Sequence, residues 1–493
     1  MDFFNLAKKY FFEGLDSLKK KDFSDAESKF LQSLDLAPDR VSVLINLSAA
    51  QLKLKKYTDA KISLEKVIRL EKVNPEPYLN LGLIEIELER FEEAISCFDK
   101  AINLKPDYAE AYSNKGNVLN ELERFEEAIS CFDKAINLKP DYFQAMTNKG
   151  ASLHQIKAFE EAINLYDKAL FLKPNYHEAL WNKSLCMLIK GDFKNGFPLY
   201  ESRWKSKKIR RVIGERSFHE PIWSGAESLK NKTILLYREQ GLGDFIQFSR
   251  YSQFVVSLGA RVILEVPHDL MDLMSNLHGV SRFIVKGQSL PAFDFCCPIM
   301  SLPFALSINQ GNISSFSGDI QFQNKPNKLM EWQARLGSSS KKRIGLVWSG
   351  NPLHKNDHNR SIPLRDIIPF LPNQFEYVSL QKEIRVDDKL TLELNPQILS
   401  FTKHLKTFSD TAALIGGLDL VISVDTSVAH LSGALHKPTW ILLPFVPDWR
   451  WLLDRDDSPW YPSIRLFRQE KRSDWSAVFK NLSKALRIFA EQN

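Results

Sequence analysis

Two short turns hold the side chains best suited to chemistry. The first is Gln240-Gly241-Leu242-Gly243-Asp244, which closes the β-rich run KTILLYRE at 232–239. Glycines there let a backbone approach a ligand at the carboxyl end of a strand, where open α/β sheets bind ligands. A dinucleotide fingerprint would need a third glycine, but Ile246 occupies its place, so a nicotinamide or flavin cofactor is not expected. Asp244 opens the next helical stretch, where a helix cap is the plain reading. The second turn, Asp425-Thr426-Ser427 with His430 one turn on, follows the run DLVISV at 419–424. It gathers hydroxyls and unpaired backbone N–H groups at a helix start, which favours a phosphate.

A third set is periodic. Asn46, Asn80, Asn114, Asn148 and Asn182 stand 34 residues apart. A primary amide offers both a donor and an acceptor, so a line of them could hold an extended peptide backbone whatever its side chains. Each could equally bridge neighbouring backbone within its own helix.

These residues need elements to position them. The 34-residue period also runs through Phe23, Tyr57, Phe91, Phe125, Phe159 and Phe193, and through Ala26, Ala60, Ala94, Ala128 and Ala162. The string ELERFEEAISCFDKAINLKPDY occurs at both 87–108 and 121–142. Such a period predicts paired helices stacked into a solenoid. Proline closes the second helix at Pro38, Pro106, Pro140 and Pro174, because it lacks an N–H and disfavours helix before it. Small residues (Ser48, Gly82, Gly116, Gly150, Ser184) mark close helix approach, and Phe98, Phe132 and Tyr166 fill the gaps between helices. After residue 218 the period stops and strand-like runs alternate with helical ones. That predicts parallel sheet covered on both faces. Strands are expected at 261–266, 282–287, 293–299 and 343–350, and in FEYVSLQ, DLVISV, TWILLPF and IRLFRQ. QNKPNKLMEWQARLGSSSKK is expected as a linker between two halves, and the tail DWSAVFKNLSKALRIFAEQ as an amphipathic helix.

The periodic segment resembles the tetratricopeptide repeat family, with five full repeats and a worn sixth. Its asparagine row is similar to the asparagine ladder of protein O-linked N-acetylglucosamine transferases, which implies a groove for polypeptide. In the second half, GLGDFIQFSRY followed by VISVDTSVAHLSGAL, with the basic loop WSGNPLHKNDHNRSIPL, resembles the heptosyltransferase-related glycosyltransferases. The resemblance implies a two-lobed Rossmann-like fold (GT-B), here divided as 1–210 (repeat array), 218–325 and 326–493. It implies transfer of a sugar, with inversion, from a nucleotide-sugar donor to a hydroxyl acceptor that is a polypeptide or a glycan. It also implies no metal and no further cofactor. Asp244 would be the general base, a carboxylate being ionised at neutral pH. Gly243, Asp425, Thr426, Ser427 and His430 would meet the donor. Arg360, with Lys355 as alternate, would neutralise the departing phosphate. Gln381, with Lys382, would contact the nucleotide. The alternative is a non-catalytic repeat scaffold with a degenerate transferase-like half.

Composition excludes several other classes. A net charge of +6 over 493 residues makes no case for nucleic acid. The densest basic run (Arg203, Lys205, Lys207, Lys208, Arg210, Arg211) is expected as a solvated face between domains. Five cysteines without Cys-x-x-Cys spacing suggest neither zinc nor a disulfide framework. Asp454-Arg455-Asp456 has a metal-site spacing but sits in a Trp/Pro-rich loop. The aromatic run from Trp449 to Tyr461 is expected as a sugar platform or as packing between the halves. No signal peptide or membrane span is read, so a cytoplasmic protein with a partner in the repeat groove is expected.

Overall fold

The computed structural model describes residues 3–206, 209–210, 216, 218–275, 277–313 and 326–491. Lys207, Lys208, Arg211, the first residues of the expected linker and the expected boundary at 325 lie outside these. The chain divides into two compact units, Met1–Asn182 and Lys183–Asn493. The worn sixth repeat therefore belongs largely with the second unit.

Among the described residues, twelve α-helices run in antiparallel pairs from Phe3–Lys20 to Phe193–Tyr200. What builds the pairs is visible at the small positions. A Cβ added to Gly116 would lie 2.8 Å from the Phe132 ring, and one on Gly150 would lie 2.6 Å from Tyr166. Gly14 meets Phe30 and Gly82 meets Phe98 in the same way, each ring sixteen residues beyond its glycine. The rings of Phe30, Phe98 and Phe132 are fully buried, each worth about 1.5–3 kcal/mol of transfer free energy. The turn within each pair is closed by one residue in the left-handed region: Lys21, Lys55, Glu89, Glu123 and Lys157, and finally Gly191 at φ 83°. Lys115 Nζ to Asp99 Oδ1 and Lys149 Nζ to Asp133 Oδ1, both 2.6 Å, repeat one ion pair a period apart.

The second unit holds two all-parallel sheets. The first orders its strands β3-β2-β1-β4, from β1 (Thr233–Tyr237), β2 (Arg261–Val266), β3 (Arg282–Val285) and β4 (Phe295–Pro298). The second comprises β5 (Arg343–Val347), β6 (Glu376–Ser379), β7 (Ile398–Ser400), β8 (Leu420–Val424), β9 (Thr439–Leu443) and β10 (Ile464–Arg468). Its order is β10-β9-β8-β5-β6-β7. Register pairs Leu235 with Ile263 on one side and Cys296 on the other, and Leu346 with Ser379 and Ile422. In both sheets the order reverses beside the first strand, between β1 and β4 and between β5 and β8. Strand β8 is buried at every position, which explains its unbroken apolar run.

Three expectations change. β7 was not read from the sequence, because it is three residues long with one fully buried side chain. The linker contains an amphipathic helix, Pro326–Leu336, with Trp332 buried and Lys328 bonded to Asp410 at 2.9 Å. The basic run is not uniformly solvated. Arg203 is wholly buried, bonded to Glu239, Glu201 and Ser301 and lying over the Tyr200 ring.

Candidate functional site

Both glycine- and hydroxyl-bearing turns leave the carboxyl ends of strands beside the reversals in strand order, and they meet. Helix Leu242–Phe248, after β1, packs on helix Ser427–Ala434, after β8. Gly243 is the contact point: a Cβ there would lie 2.8 Å from His430 Cδ2 and 3.2 Å from Ser427 Cα. A glycine is needed because two backbones come within van der Waals distance.

Asp244 is the third residue of its helix. Its Oδ2 accepts the Gly241 N–H at 2.8 Å, and its Oδ1 lies 2.6 Å from Arg450 Nη2. Arg450 also reaches Asp448 Oδ1 at 2.6 Å and stacks over Trp449. Neither Arg450 nor Asp448 was singled out for chemistry from the sequence. A Pro-Asp-Trp-Arg-Trp string reads as a sugar platform or as packing between the halves until the fold brings it to Asp244.

The second turn is held from behind. Arg360 Nη1 donates to the Asp425 carbonyl at 2.9 Å, and its Nε lies 3.4 Å from Asp357 Oδ1. Arg385 braces the same Asp357 carboxylate and bonds Ser361 Oγ at 3.0 Å. Thr426 is the N-cap residue, yet its hydroxyl turns to Ser423 Oγ at 3.1 Å and makes no cap bond. Burial and the neighbouring Asp448 carboxylate push the Asp425 carboxyl up to about 6, against the pull of Arg360. His430 Nε2 is 3.9 Å from Asp425 Oδ1, while Nδ1 is 3.2 Å from Tyr461 OH. Its ring stacks on Trp451. Burial, with Arg450 nearby, drives His430 down to about 3, so it is neutral.

The remaining expected residues are placed less centrally. Gln381 is buried and fully committed: its amide donates to Ser349 Oγ and Glu383 O and accepts the Ser349 N–H. It clamps the ends of β5 and β6. Lys355 and Lys382 are exposed. His354 sits on the β5 loop with Nδ1 accepting the Asn356 N–H, and burial and Arg360 lower its pKa. The aromatic run is packing: Trp449 and Trp460 lie against Phe248 from one sheet's helix and against Phe193 before the sheets. Asp454-Arg455-Asp456 points elsewhere, and Arg455 pairs with Asp457 at 2.6 Å.

In the array all five asparagines are half-buried. Asn46 bonds its own helix at Ser42 O, 2.8 Å away. Asn148 reaches across to Asn117 Oδ1 on the preceding first helix at 2.8 Å. The amides of Asn80, Asn114 and Asn182 make no hydrogen bond among the described residues. The row thus divides among one bond to backbone, at Asn46, one amide–amide bridge, at Asn148, and unengaged amides.

Comparison with known proteins adds the following. Tetratricopeptide repeat models match residues 41–74 and 109–142, and a TPR repeat model matches 82–122; the first half carries tetratricopeptide repeats. Protein FlbA of Caulobacter vibrioides is 26% identical over 337 residues, 62% of this chain and 54% of that protein. The chain thus spans about half the length of that relative. A MamA crystal structure is 27% identical, covering 34% of this chain and 92% of its own, with a TM-score of 0.30. YrrB, described as a TPR protein with an unusual peptide-binding site, is 23% identical, covering 36% of this chain and 91% of its own, with a TM-score of 0.29. Among the described residues no helix is long and apolar enough to cross a membrane.

Proposed function

We propose that the second unit is a metal-independent glycosyltransferase that moves a sugar from a nucleotide-sugar donor to a hydroxyl, and that the repeat array holds a polypeptide acceptor or partner. One observation carries the reading: two parallel sheets present their strand-order reversals to each other, so that Asp244 and the helix start at Asp425–Ser427 share one junction. The order β3-β2-β1-β4, and its six-stranded counterpart around β5, is that of doubly wound Rossmann-like sheets, which take nucleotides outside such reversals. Two such lobes are the arrangement of a GT-B fold.

In this reading Thr426, Ser427 and the uncapped helix start receive the donor's diphosphate. Arg360, already locked against Asp425 and Asp357, supplies fixed positive charge as the leaving group gains negative charge. Arg385 is a second guanidinium in the same brace. Asp244 takes the proton of the acceptor hydroxyl, its plane set by Gly241 and Arg450. Gly243 and Gln381 act by packing and by holding strand ends. Asn80 and Asn114 supply the free amides for a peptide backbone.

Titration calorimetry with UDP, GDP, ADP and dTDP tests the donor site. Binding of one of them, weakened by Thr426→Ala and Arg360→Met, is the expected result. A second reading, a non-catalytic scaffold, is favoured by one fact: both Asp244 oxygens already have partners in the chain. Failure of all four nucleotides to bind would decide for the scaffold.

A further inference from the structure

We infer that Arg450 is a positioning residue that fixes the Asp244 carboxylate across the junction of the two sheets. Its catalytic consequence rests on the transferase reading above.

Two arginines tie the sheets' elements together, and they differ in what they hold. Arg250, 3% exposed, donates Nη1 to the Trp460 carbonyl at 2.7 Å and lies over the Tyr461 ring. It touches no carboxylate among the described residues. Arg450, 4% exposed, is clamped instead between two carboxylates, Asp244 at 2.6 Å and Asp448 at 2.6 Å. Its guanidinium carbon lies 4.5 Å from the centre of the Trp449 ring and 5.4 Å from that of Phe248. Its backbone is fixed as well, the carbonyl accepting Trp460 Nε1 at 2.7 Å. A planar fork anchored at its backbone, paired with two carboxylates and packed against two adjacent rings has little freedom to turn.

Asp448 fixes the other side of the fork. Arg450 and its own N–H bond hold that carboxyl below its ordinary range despite burial. Both anions therefore draw on one cation, and moving Asp244 requires moving Arg450. With Oδ2 tied to the Gly241 N–H, the Asp244 carboxylate is held at both oxygens, each with a second lone pair still available. Misplacement of such a group by about 1 Å costs on the order of 10²-fold in rate. A merely structural arginine would produce no rate effect beyond its effect on folding.

The experiment uses the full chain and nucleoside diphosphate release from UDP-glucose, GDP-mannose, ADP-glucose and dTDP-glucose. With the donor that turns over, Arg450→Ala is expected to lower kcat by about 10²-fold while leaving donor KM little changed. Added ethylguanidinium should restore turnover to Arg450→Ala and not to Arg250→Ala, and Arg450→Lys should keep partial activity. Loss of turnover in Arg450→Ala without rescue, or equal rescue of both alanine variants, would overturn the assignment. If the wild-type chain releases diphosphate from none of the donors, the transferase reading fails. The positioning claim is then judged on thermal unfolding of Asp244→Asn, Arg450→Met and the double variant. Non-additive shifts support the fixed pair, and additive ones refute it.

Discussion

Alanine at position 243 would put a methyl carbon 2.8 Å from His430 Cδ2 and 3.2 Å from Ser427 Cα. Carbon atoms prefer about 3.5–4.0 Å, so the new group intrudes on the His430 side. That ring cannot swing aside cheaply. It is stacked on Trp451 at 5.2 Å between centroids and held by Tyr461 OH. The second contact is backbone, which moves only with its helix. Overpacking of this kind costs about 1–3 kcal/mol. For a unit of about 300 residues each kilocalorie lowers Tm by about 1.5 °C, so Gly243→Ala should lower the midpoint of the α/β unit by about 2–5 °C. Gly241→Ala is the matched control: its added carbon meets no other backbone and comes within 3.4 Å of one side-chain atom, Asp244 Oδ2 at 3.0 Å. Differential scanning calorimetry of both variants gives the answer. A Gly243→Ala midpoint equal to that of the Gly241 variant would refute the claim that this glycine is where two backbones touch.

Three further outcomes are expected. Asp425 carries a carboxyl raised to about 6, so the folded state holds a proton there that the unfolded chain has already lost, and stability conferred by that proton falls as pH rises from about 4 to 6. In the proposed function, diphosphate affinity should fall over the same rise through pH 6, and Asp425→Asn should flatten that dependence in calorimetric titrations. Arg203→Met strands the buried Glu239 carboxylate and should cost about 3–5 kcal/mol in urea unfolding, whereas Arg203→Met with Glu239→Gln should recover much of it. Gly116→Ala should destabilise the array by crowding Phe132, and pairing it with Phe132→Leu should restore part of the loss, read by thermal melts followed by circular dichroism.

How far the sequence disclosed this molecule varies with the range of the interaction involved. The array is written in local terms, since Gly116 and Phe132 lie sixteen residues apart and recur every 34. The turns Gly241–Asp244 and Asp425–Ser427 were also legible, because strand ends and helix starts impose local residue choices. Strand β7 was not, since three residues with one fully buried side chain carry no alternation to read. Arg203 stands in a basic run and looked solvated; only tertiary contact with Glu239 and Ser301 reveals why it is buried. The role of Arg450 was invisible for the same reason. Its partner Asp244 is distant in sequence, and an arginine flanked by two tryptophans gives no hint of which carboxylate it will meet.

The duplicated string at 87–108 and 121–142 has a consequence for how this solenoid changes length. Each 34-residue block brings its own small-to-ring contact, its own left-handed turn residue and, across the next boundary, a copy of the same lysine–aspartate bridge. Slippage between the two identical stretches would therefore insert or excise one whole block with every neighbouring joint reproduced. Energetically such a change adds or removes one nearest-neighbour interface. The array in this protein can thus lengthen or shorten in whole steps, without new side chains having to be found.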